Sequence, residues 1–115
     1  MAGYRDLIAW QKAMALAERI YRVTEMFPKQ EQFGLTSQLR RAGVSVVSNI
    51  AEGYGRDGKA EFARFLRIAF GSLREVETQI ILAGRLKLAD RQELAQTLHD
   101  AEEVVKIIRG LLRAK

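Results

Sequence analysis

Arg64, Arg67 and Arg74 recur at helical spacing, so a helix carrying them lines up three guanidinium groups on one face, with Gly71 among them. Arg56 and Lys59 flank that face, and Arg40 and Arg41 lie on the preceding segment. Such a set can hold anions, phosphates above all, through charge and donated hydrogen bonds. A charged helix face is also what plain solvation produces, and spacing alone leaves both readings open. A second set, Gln38, Arg41, Ser45, Asn49, Glu52 and Arg56, recurs at steps of three and four. It reads either as solvated surface or as a polar seam against another helix or subunit, in which Asn49 and Glu52 need partners.

Tests for catalytic chemistry end without a candidate. A di-iron bundle needs Glu-x-x-His on two helices, but the single histidine, His99, has Gln96 three positions before it. His99 therefore reads as a surface residue. Arg91 lies eight positions before His99, too far for the close Arg and His pairing of helical ribonucleases. The segment from Gly53 to Gly58 is glycine-rich but lacks the Gly-Lys-Ser/Thr ending and preceding strand of a phosphate loop. The absence of cysteine excludes disulfides, thiolate metal sites and thiol catalysis. The expectation is a protein with no catalytic residue, no metal and no cofactor.

The elements that must position these residues follow from length and periodicity. A chain of 115 residues makes one domain with a real core, expected over residues 1–115. Neither a signal peptide nor an apolar run of membrane-spanning length is legible, which points to a soluble cytoplasmic protein. Net charge is +5 and the pI about 9.9, values that suit an anionic partner. Residues 35–74 hold seven Lys or Arg against three Asp or Glu, whereas residues 75–115 balance at seven of each. The excess lies mid-chain.

Helical patterning recurs four times. The first helix is expected from a cap at Asp6 to the break at Pro28, with two adjoining apolar stripes too wide for one neighbour. Leu35, Leu39, Ala42, Val46 and Ile50 place a second helix over the valine-rich stretch, where Val46-Val47 breaks the alternation a strand requires. Gly53 and Gly55 are expected to end it through the left-handed conformation. A third helix follows from about Lys59 to Leu86, roughly 40 Å long. Gly71 within it suggests the close approach of a neighbouring helix. Asp90 and Glu93 have capping-box spacing, and a stripe from Leu94 to Leu112 makes a fourth helix with basic residues at its end. Short connections make sequential helices antiparallel, so the fold expected is an all-α, up-down-up-down four-helix bundle.

Several blocks are similar to a known family. They are Tyr4-Arg-Asp-Leu-Ile-Ala-Trp10, Phe27-Pro-Lys, Gly34-Leu-Thr-Ser-Gln-Leu-Arg-Arg-Ala42, Ser48-Asn-Ile-Ala-Glu-Gly53, Glu61-Phe and Gly71-Ser-Leu-Arg-Glu-Val-Glu-Thr78. In order and spacing the chain resembles the bacterial four-helix bundle proteins encoded in intervening sequences of 23S ribosomal RNA genes. Accessory proteins of diversity-generating retroelements belong to the same broad group. Two departures stand out: Val47 where many relatives have proline, and Gly58 where many have serine as the cap of the third helix. The resemblance implies a homopentamer and, from the retroelement relatives, a basic surface that binds nucleic acid and a reverse transcriptase. It implies no catalytic site.

The function expected is therefore a non-enzymatic, oligomeric bundle binding structured RNA, DNA or an RNA–protein complex. Arg40, Arg41, Arg56, Lys59, Arg64, Arg67 and Arg74 are the expected phosphate contacts, which position without reading sequence. The rival is an interaction module whose basic surface docks a protein such as a reverse transcriptase.

Overall fold

The helical periods become α1 (Ile8–Thr24), α2 (Leu35–Tyr54), α3 (Lys59–Arg85) and α4 (Arg91–Arg113) in a computed structural model that describes residues 3–114. Short 3-10 turns at Tyr4–Asp6 and Lys29–Glu31 precede α1 and α2. Among the described residues there is no strand, and Val44, Val46 and Val47 lie within α2. Cross-helix contacts fix the directions. Along α2 and α3, Gly53 meets Phe65, Ser45 meets Ser72 and Gln38 meets Gln79, so one helix runs down as the other runs up. Arg40 reaches Thr24 and Arg19 reaches Asp100, and Arg109 lies beside Phe70. The result is an antiparallel up-down-up-down bundle of 43 × 22 × 22 Å.

Its core follows the sequence stripes. Leu16, Ile20, Leu39, Ile50, Leu66, Leu73 and Ile108 are fully enclosed, each burial worth about 1.5–3 kcal/mol. The wide apolar face of α1 is used inside the bundle, against α2 on one side and α4 on the other. Partly buried Arg19 and Asp100, with Nε to Oδ2 at 2.7 Å, tie the first helix to the last.

Three helix ends differ from expectation. Asp6 does not cap α1; it closes the 3-10 turn, where its carboxylate accepts from the Gly3 N–H at 3.3 Å. Leu7 precedes α1 without a side-chain cap, and Tyr4 packs edge-on against Trp10 at 5.6 Å. α1 stops at Thr24, before Pro28, and Phe27 is still buried beyond its end. Gly53 does not terminate α2 but lies buried within it, where a Cβ would come 2.5 Å from that of Phe65. Gly55 caps α2 in right-handed geometry at φ −79°, and the left-handed glycine is Gly58, at φ 93°, before α3. The expected cap of α4 is present: Asp90 Oδ2 accepts from the Glu93 N–H at 3.1 Å.

Candidate nucleic-acid interface

The polar stripe of α2 splits between two environments. Ser45 and Asn49 face α3, where the Ser45 and Ser72 hydroxyls lie 2.7 Å apart. Asn49 Nδ2 donates back to the Ser45 carbonyl at 2.8 Å and to its hydroxyl at 3.1 Å, which satisfies the amide beside the seam. Gln79 donates to Gln38 at 3.3 Å further along. Glu52 is not part of this seam; it is exposed and accepts from Arg56 one turn on, at 2.8 Å. Arg41 is exposed beside a groove of about 250 Å³ that Ser45, Glu75 and Gln79 also line.

The basic residues likewise separate. Arg40 turns towards α1, donating to Thr24 Oγ1 at 2.8 Å and to the Tyr21 carbonyl at 3.3 Å while lying 4.6 Å from the Tyr21 ring centre. A cation at the C-terminal end of α1 complements the helix dipole, so Arg40 is held by the fold. Arg41, its neighbour, faces solvent.

On the α3 side, guanidinium groups gather in pairs around phenylalanine rings. Arg56 and Arg64 lie 5.1 Å and 4.5 Å from the centre of Phe65. Arg74 and Arg109 lie 4.8 Å and 5.5 Å from that of Phe70. The ring faces attract the cations and limit their side-chain freedom. Arg64 also pairs with Glu61 at 3.2 Å, and Arg74 with Glu77 at 2.7 Å. The Arg64 hydrogen bond holds the Glu61 carboxyl below its ordinary range, with the charges of Arg64 and Arg56 acting in the same direction. Both pairs lie within one helix; Arg64 with Glu61 is the more exposed and is screened by solvent, so a phosphate can replace that glutamate, whereas Glu77 is mostly buried. Arg67 and Lys59 are exposed with no ion pair among the described residues.

Arg109 is the residue that sequence reasoning missed. It reads as part of the basic end of α4, and only the antiparallel packing of α4 on α3 brings it to Phe70. Among the described residues, no group of His, Asp and Glu side chains converges on a metal position, and no helix is long and apolar enough to cross a membrane.

The sequence model described as 23S rRNA-intervening sequence protein matches residues 5–110. The chain belongs to that family. The match runs from the first 3-10 turn to near the end of α4, so the intervening-sequence family pattern extends over the whole bundle. A crystal structure of a protein of unknown function from the S23 ribosomal protein family of Bacteroides thetaiotaomicron is similar, with a TM-score of 0.82. The two share 25% identity, over 91% of this chain and 98% of that one. No curated protein matches the chain.

Proposed function

We propose that this intervening-sequence family protein is a non-enzymatic, oligomeric binding protein whose α3 surface holds structured RNA, or an RNA–protein complex, through phosphate contacts. The observation that carries the reading is the pairing of guanidinium groups around Phe65 and Phe70, with Arg67 and Lys59 exposed beside them. Cations already restrained on a ring lose less freedom when they meet a phosphate. Assembly into a homo-oligomer, five chains by the family resemblance, repeats the surface so that weak contacts act together. Exposed Ile68, Ile81 and Leu82 on α3 supply apolar surface for such an assembly. Arg40, committed to α1, drops out of the phosphate-binding set.

The test is RNA affinity as a function of salt. Binding through several phosphates weakens steeply as salt rises, because each contact releases condensed counterions. Replacing Arg64, Arg67 and Arg74 together by Glu abolishes binding with helix content unchanged. The same reversal at Arg91, Lys106 and Arg113, all exposed on α4, leaves most of it. Equal loss in both triple variants reduces the interaction to net charge. Salt-insensitive or absent binding overturns the reading.

Phe33 favours a second reading, a protein-docking module. It is 90% exposed in the connection between α1 and α2, which also carries exposed Met26. A protein partner lost on Phe33→Ser, with RNA binding absent in the unaltered protein, establishes that reading in its place.

A further inference from the structure

Gly71 has no role within its own chain. It lies exposed in the middle of the 27-residue α3, where alanine is the better helix former. A Cβ built there meets nothing within 4 Å, so the expected close approach of a neighbouring helix is not the reason for the glycine. Gly53 is the contrasting case, with Phe65 directly against it. The missing side chain at position 71 leaves open space on the surface of α3.

The surroundings define what enters. Arg67, Phe70, Gly71, Arg109 and Leu112 line a depression of about 450 Å³ between α3 and α4. Leu112, the Phe70 side chain and the bare helix backbone at Gly71 supply its apolar lining. Its rim is cationic: Arg67 is exposed, and Arg109 and Arg74 lie on Phe70, with Glu77 beside Arg74 as the near carboxylate. An apolar lining under a cationic rim suits a flat group attached to anions. Bases of unpaired RNA stack on aromatic rings and guanidinium planes in this way.

Resting on the function proposed above, we infer that this depression holds one unpaired base, its face against Gly71 and Leu112 and its neighbouring phosphates on Arg67 and Arg109. Paired bases are stacked inside a helix and cannot reach the lining. The site therefore selects loops, bulges and single-stranded ends from among RNAs that the basic surface attracts. A second copy packed face to face here sets arginine rims against each other, which like charge opposes.

The experiment uses the intact protein and oligoadenylate carrying one 2-aminopurine, single-stranded or annealed to its complement. Transfer of the fluorophore from the adenine stack of the single strand to the apolar lining at Gly71 and Leu112 raises its fluorescence, and the duplex binds more weakly. Gly71→Leu, whose Cβ meets nothing within 4 Å, occupies the depression and lowers single-strand affinity roughly tenfold, and Arg109→Gln lowers it as well. Gly110→Leu is the control, because Gly110 is also an exposed helix glycine with nothing within 4 Å of an added Cβ. If Gly71→Leu binds and brightens as Gly110→Leu does, the base site is wrong while phosphate binding stands. If Gly71→Leu changes the mass by light scattering, the opening serves a subunit contact and the inference falls. If the unaltered protein binds no nucleic acid, this site and the proposed function fall together.

Discussion

The Ser45 hydroxyl sits 2.7 Å from the Ser72 hydroxyl, joining α2 to α3 midway along their shared length. Ser72 is buried and Ser45 also accepts from Asn49, so the three side chains form one small network. Ser72→Ala costs about 1 kcal/mol, and Ser45→Ala costs more because it also removes the Asn49 contact. A double-mutant cycle by urea unfolding should give a coupling of about 1 kcal/mol between the two serines. A coupling near zero means that water serves each hydroxyl separately.

Two helix glycines should respond to alanine with opposite signs. Gly53→Ala forces a Cβ against Phe65 and destabilises by about 1–3 kcal/mol. Gly71→Ala meets open space and stabilises by up to about 1 kcal/mol. Thermal unfolding of the two variants measures both, and a shift in the same direction contradicts the packing account.

Lys87 holds a left-handed conformation, φ 58°, at the end of α3. The Leu88 N–H bonds back to the Ala83 carbonyl and the Lys87 N–H to that of Gly84, the two closing bonds of a Schellman motif. Lys87→Gly relieves the crowding of Cβ in that geometry and stabilises by about 1 kcal/mol. A loss of stability on chemical denaturation would show that the lysine side chain holds the turn.

Glu61 titrates below its ordinary range because Arg64 donates to its carboxylate. A folded-state pKa below the unfolded one stabilises the fold at pH above the unfolded value. That contribution is lost as pH falls through the folded value. Glu61→Gln should therefore flatten the acid limb of the stability curve. It also releases Arg64 and raises RNA affinity at neutral pH. Unchanged affinity in a filter-binding assay removes Arg64 from the phosphate contacts.

Light scattering at micromolar concentration should give the mass of about five chains, in closed symmetry. A stable single-chain mass removes the multivalent part of the proposed function. The wide apolar face of α1 packs within the chain, against α2 and α4.

Periodicity carried most of the fold. The stripes through Leu39 and Ile50, Leu66 and Leu73, and Ala101 and Ile108 are core positions, and Asp90 caps α4. These features depend on residues near one another in sequence. What was illegible depends on a distant partner. Gly53 and Gly55 look alike as helix breakers until Phe65 packs against one of them. Arg40 and Arg41 look alike as cations, but a step of 100° along α2 turns the first towards the end of α1 and leaves the second in water. Arg109 joins the candidate site only through the pairing of α4 with α3.

The tie between Arg19 and Asp100 spans 81 positions, and this separation sets an order of events on the ribosome. Synthesis delivers α1, α2 and α3 before the helix that completes the ring of contacts. Until α4 emerges, the flank of α1 that will meet it has no cover within the chain. The nascent protein thus passes through a three-helix stage with an open apolar side, the kind of surface that chaperones bind and that invites exchange of a helix between chains. A released chain ending at residue 90 should be cut rapidly by protease, whereas the chain that includes α4 resists it.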